Sequence, residues 1–139
     1  MLDFLDSSIL VAAHDRDDDD HQHCFDLFRR GQWSTAAHCL AETFAVLSGR
    51  LRFDPRDASQ IVEEAGLRGN IVTMTGADVS SVIKGAPKRG IRGPLIYDAL
   101  IARAATISGA RRIWTLNVDP FKMVTEGATV LSPGSASTK

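Results

Sequence analysis

The chain has 139 residues, 44% of them hydrophobic, with 16 basic side chains against 17 acidic ones for a formal charge of −1. That length suits one domain with a real core, and the near-neutral balance excludes neither a nucleic-acid partner nor an acidic pocket, because the local distribution of charge decides. Two cysteines, Cys24 and Cys39, exclude a disulfide framework; with no signal-peptide pattern and no membrane-length apolar run, the expected setting is cytoplasmic and reducing, with no membrane role.

In chain order, residues 2–5 read as a buried strand that stops at Asp6 and turns through Ser7 and Ser8 into a helix over 9–14. Parallel sheets present ligand-binding groups at the carboxyl ends of their strands, so Asp6 stands where chemistry is expected. Asp3, at the strand's beginning, reads as a surface or edge charge. The aspartate run 15–20, followed by His21, His23 and Cys24, looks chemical but lacks a second ligand pair at zinc-finger spacing. It reads as a solvated loop whose last members cap a helix over 20–30, apolar at Cys24, Phe25, Leu27 and Phe28 and ending at Gly31.

A short strand over 33–36 precedes a helix over 37–51, in which Leu40, Phe44 and Leu47 have the spacing of a core face. Glu42, the only acid of that helix, shares a face with Cys39, Ala45, Val46 and Gly49 and so points inward. A carboxylate among apolar neighbours costs several kcal/mol unless it is neutralised, paired or bound to a cation, and His38 is the one obvious local partner. Asp54 and Pro55 then have the pattern of N-cap and first helical residue, opening a helix that runs to Gly66 or Gly69. A strand over 70–75 and a helix over 76–85 follow, with Val79, Val82 and Ile83 expected inward.

The loop over 84–94 is basic and glycine-rich, and Lys84, Lys88, Arg89 and Arg92 suit phosphate contacts, although no aromatic residue is interleaved to stack on bases. The helix over 94–109 is apolar nearly all round and should be buried on more than one side. Asp98 is its exception, on the same face as Leu95, Ala102, Ala105 and Gly109, where a charge is expensive as mere structure. A strand over 112–116 ends before Asn117 and Asp119, the latter a turn or helix cap ahead of Pro120. A last strand over 129–131 leads to a flexible tail, 132–139.

Strands separated by helices predict an α/β protein, a three-layer α/β/α sandwich with a short, mostly parallel central sheet, over residues 1–131. Asp6, Glu42, Asp98, Asn117 and Asp119 come from four separated elements. If they converge, a divalent cation must supply compensating charge, and Mg²⁺ or Mn²⁺ takes such oxygen ligands. A site of this kind can activate water against a phosphodiester.

The ordered segments 5–11, 40–44, 97–102 and 115–121, carrying Asp6, Glu42, Asp98 and Thr115 with Asn117, resemble the PIN-domain nucleases and are similar in particular to VapC toxins of toxin–antitoxin pairs. The resemblance implies a Mg²⁺-dependent single-strand endoribonuclease, usually a homodimer, restrained by a cognate VapB-type antitoxin that occludes the acidic pocket. It implies that Asp6, Glu42 and Asp98 bind the metal and that Thr115, with Ser7 in place of the more usual threonine, supplies pocket hydroxyls. Asn117 stands where many members carry a fourth aspartate, and Asp119 could substitute through water. The basic loop at Lys88, Arg89 and Arg92 would steer the RNA backbone without reading its sequence. Apolar segments 9–13 and 24–28, if only partly covered in a monomer, would offer an antitoxin its surface. The alternative is a PIN-fold RNA- or protein-binding module with its catalysis weakened through Asn117.

Overall fold

The computed structural model describes residues 3–134. Leu2, assigned from sequence to the first strand, lies outside them, as do residues 135–139 of the expected flexible tail; Pro133 and Gly134, also assigned to that tail, are helical. The elements run β1 (Asp3–Leu5), α1 (Ser7–Ala12), α2 (His21–Arg30), β2 (Trp33–Ala36), α3 (Ala37–Ser48), α4 (Pro55–Arg68), β3 (Asn70–Val72), α5 (Gly76–Gly85), α6 (Leu95–Ile107), β4 (Arg112–Trp114), α7 (Val118–Val124) and β5 (Thr129–Leu131).

The five strands form one sheet in the order β3-β2-β1-β4-β5, and every neighbouring pair is parallel. A parallel sheet is covered on both faces, and β1, at its centre, is buried at every residue. Strand alternation sends Leu5 to one face, where it packs with Ile9, Leu10, Cys24, Phe28, Trp33 and Trp114 beneath α1 and α2. Phe4 goes to the other and meets Val72, Ile113, Ile101, Ala104, Ala105 and Phe121 beneath α6 and α7. The sandwich is therefore threaded by the first strand, with Asp6 at its carboxyl end.

Asp3 is no surface charge. It is buried on the central strand and accepts hydrogen bonds from Arg112 Nε at 2.6 Å, Arg30 Nη2 at 3.3 Å and Trp114 Nε1 at 3.2 Å. Parallel pairing explains the clasp: Asp3 is in register with Arg112, so their side chains leave the sheet on the same face, and α2 ends there with Arg30. Two flanking strands put β1 in the middle of the sheet, where helices cover both faces and Asp3 is enclosed.

Other expectations change for similar reasons. The buried positions of α3 are Cys39, Thr43 and Leu47, whereas Phe44 is 37% exposed, and on α5 Val82 is buried while Ile83 faces water. Helix α6 packs against the sheet, α5 and α7, yet Tyr97 and Ile107 remain exposed on its free arc. The segments 9–13 and 24–28 are not uncovered: Ile9, Leu10, Cys24 and Phe28 are all buried. The aspartates of 15–20 structure their own loop, with Asp15 and Asp18 accepting from the backbone N–H groups of Asp17 and Asp20; Asp20 holds the N-cap position of α2 without a side-chain capping bond.

A close approach fixes one glycine. Trp33 is buried against Phe28, donates its indole N–H to the Phe28 carbonyl at 3.0 Å, and lies so near Gly69 that a Cβ there would fall 2.0 Å from the indole ring. Gly69→Ala is expected to cost about 1–3 kcal/mol through overpacking. Urea unfolding of the variant with an unchanged midpoint would contradict this packing.

Candidate active site

The site is built at the carboxyl edge of the sheet, where β1 gives way to α1. Asp6 occupies the N-cap position of α1 but makes no side-chain capping bond. Its carboxylate, only 3% exposed as a residue, instead accepts from Ser8 Oγ at 2.8 Å and from Thr115 Oγ1 at 2.9 Å, both on Oδ2. Ser8 Oγ also accepts from the Leu116 backbone N–H, and Thr115 Oγ1 from that of Asn117. The loop after β4 is thereby stitched to the start of α1, and Asp6 is held in one orientation.

Helix α3 follows β2 without a loop, so its second turn overhangs the same edge and brings Glu42 there. Burial raises the pKa of Glu42 above its ordinary value of 4.5, the charges of Asp6 and Asp98 raise it further, and His38 and a Ser7 hydrogen bond oppose the shift. His38 Nε2 is 3.8 Å from Glu42 Oε1, an ion-pair distance but no hydrogen bond. That oxygen is buried with no hydrogen-bond partner. Asp98, in the first turn of α6, is half-buried and is also raised above its ordinary 3.8, by burial and then by the charge of Asp6.

The structure brings Asp6, Glu42 and Asp98 within electrostatic reach of one another. The ligand atoms of Asp6, Glu42 and Cys39 all lie within 4.8 Å of one another, and Asp98 is outside this tight group. Cys39 is fully buried and its thiol is pushed up to about 12, chiefly by burial and then by Asp6, so it is a neutral wall of the pocket at physiological pH. Sequence reading placed Cys39 on the face of Glu42 but gave it no role. It also passed over Ser8, whose position two residues after an aspartate at a helix start was the available signal.

The remaining candidates are placed differently. Asn117 is exposed and reaches the pocket through its backbone N–H on Thr115. Asp119 is exposed in the first turn of α7, with no bond to the three acids among the described residues. Lys88 and Arg92 are exposed, whereas Arg89 donates to the Val124 carbonyl at 2.5 Å and pairs with Glu126 at 3.4 Å, which ties the basic loop to the end of α7.

The chemistry of this donor set fits a divalent cation. Three mutually repelling carboxylates, two of them driven toward protonation, and a buried carboxylate oxygen without a donor are what a hard cation would relieve.

A family model described as the PIN domain matches residues 4–126. The chain belongs to the PIN-domain family. Its fold is shared with crystal structures of VapC20 from Mycobacterium tuberculosis, a Sarcin-Ricin loop cleaving toxin, at a TM-score of 0.72 and 17% identity over 91% of this chain and 98% of that one. VapBC2 from Rickettsia felis, bound to a DNA fragment from its promoter, aligns at 0.68 and 18% identity, covering 95% and 98%. DNA-bound VapBC from Salmonella typhimurium aligns at 0.68 and 20%, covering 96% and 99%. A sequence search of curated proteins finds no match. Among the described residues of this PIN domain, no helix is long and apolar enough to cross a membrane.

The raised acids make stability depend on pH. A carboxyl whose folded pKa exceeds its unfolded value favours the folded state below the unfolded pKa and loses that contribution as pH rises through the folded one. In chelator, the contribution of Glu42 and Asp98 to thermal stability is therefore expected to fall as pH rises above about 4 to 4.5 through their raised values. Glu42→Gln should gain in melting temperature relative to wild type over that range. Parallel melting-temperature profiles for the two proteins would show that Glu42 carries no such penalty.

Proposed function

We propose that this PIN domain is a Mg²⁺-dependent single-strand endoribonuclease, with Mn²⁺ as an effective substitute, and the toxin of a VapBC-type pair. The observation that carries the reading is the orphaned Glu42 Oε1, buried beside Asp6 and within reach of the Asp98 charge. A buried carboxylate oxygen without a hydrogen-bond donor, beside two other acids, is what a bound cation would satisfy. Asp6, Glu42 and Asp98 would hold the cation, which when bound supplies Lewis-acid polarisation of a phosphate oxygen and a lowered pKa for its water.

The protein's own groups do the rest. Ser8 and Thr115 direct Oδ2 of Asp6 and prevent its carboxylate from turning back to cap α1. Ser7 and His38 face Glu42 and moderate its affinity for a proton, keeping a carboxylate available to take the proton of the attacking water. Exposed Lys88 and Arg92 approach the RNA backbone, while Arg89 fixes the loop that bears them. Asn117 would act at the rim of the pocket, and Asp119 would serve it through a bridging water.

The backbone N–H by which Asn117 orders Thr115 would be offered by any non-proline residue; the weakened-module alternative turns instead on the charge its side chain lacks, and the cleavage assay separates the two readings. The similar VapBC structures support a VapB-type antitoxin as partner; the homodimer proposed as the working unit rests on the family resemblance alone. Cleavage of single-stranded RNA by the purified protein is expected to require Mg²⁺ or Mn²⁺ and to fall at least about 100-fold in Asp98→Asn. Equal cleavage by wild type and this variant, or cleavage persisting in chelator, would sink the assignment.

A further inference from the structure

Beside the acidic pocket lies a second concavity of different character, a groove of about 330 Å³ between the start of α3, the end of β3, and helices α5 and α6. Its surface is predominantly apolar, with Met74, Val79, Leu100 and Ile101 in the lining beside Thr73, His38 and Tyr97. Tyr97 is the only tyrosine of the chain and is 57% exposed, although it sits in a strongly apolar helix. We propose that this groove is a nucleobase subsite, holding a base of the RNA strand next to the phosphate under attack, with Tyr97 as its stacking surface. The proposal rests on the nuclease reading and adds to it where the substrate strand is gripped.

Two juxtapositions choose this occupant. The groove neighbours the acids: His38 lines it and stands 3.8 Å from Glu42, and Tyr97, also in its lining, is the chain neighbour of Asp98. A strand whose phosphate is held at Glu42 and Asp98 would have a base within reach of the groove. The lining also matches a base, since small-molecule sites combine apolar walls with a few polar groups and unpaired bases stack on aromatic rings. The basic loop lacks aromatic residues, so Tyr97 is the stacking group that its phosphate contacts would otherwise be without.

The single tyrosine makes the test direct. In full-length protein carrying isotope-labelled tyrosine, without divalent metal, one ring resonance is followed during titration with each of the four ribonucleoside monophosphates and with ribose 5-phosphate. The expected result is a saturable shift with at least one nucleotide and none with ribose 5-phosphate. Equal shifts by both, or none with any nucleotide, overturns the subsite. In cleavage assays Tyr97→Ala should raise KM roughly five- to hundred-fold and alter which positions are cut, while Tyr97→Phe keeps the wild-type pattern.

Metal-dependent cleavage that is indifferent to Tyr97→Ala removes the subsite and leaves the nuclease standing. Failure of wild type to cleave any RNA removes the nuclease reading and the proposal with it, whereas the resonance titration reads base binding independently. Sedimentation equilibrium closes the remaining case: conversion of a wild-type dimer to monomer by Tyr97→Ala would assign the groove to a second copy of the chain and overturn the proposal.

Discussion

The carboxylate of Asp6 is the point on which the carboxyl edge of this protein turns. It ends the central strand of an all-parallel sheet, so burial is imposed by the strands and helices on either side. Two hydroxyl donors from different parts of the chain hold one of its oxygens. Glu42 and Asp98 approach it, and both have raised pKa values, chiefly through their own burial and then through the Asp6 charge. The edge is thus assembled at an electrostatic cost that a cation would remove, which is the usual balance between stability and a polar site built for function.

The opposite end of the same strand shows how position decides the fate of an aspartate. Asp3 is likewise buried, three residues earlier, yet it accepts from two arginines and a tryptophan and has its charge and hydrogen bonds satisfied. Both arginines keep much of their surface in water, so they bring compensating charge without full desolvation of their own. At the amino end the acid is structural because its partners are present. At the carboxyl end Glu42 Oε1 has no hydrogen-bond donor and only His38 at 3.8 Å, and that asymmetry distinguishes a clasp from a candidate metal site.

Much of the site was legible from local pattern. Asp98 announced itself as a charge in an apolar helix, and Glu42 as an acid sharing a face with small and apolar residues; both are drawn toward the pocket as those patterns implied. The hydroxyls were harder. Ser7 was singled out by resemblance, but Ser8 makes the short bond to Asp6, and which of two adjacent serines does so depends on the turn into α1 and the position of Thr115, 107 residues away along the chain from Ser8. Phe44, Ile83 and Tyr97 were hidden for a related reason: helical spacing marks an apolar arc, and the neighbours that pack determine how much of the arc is covered.

By itself the sequence determined the alternation of short strands and helices and the parallel α/β class, and it marked Asp6, Glu42 and Asp98 as acids in places where a charge is unusual. These are set by residue periodicity, caps and turn residues, all of which act over a few positions of chain. Only the tertiary structure decided that β1 is central, that Asp3 is clasped, that Cys39 walls the pocket, that Arg89 is tied to α7, and that an apolar groove with Tyr97 adjoins the acids. Each of these depends on side chains far apart in sequence meeting across packed elements, and strand order with helix coverage, which no local pattern encodes, brings them together.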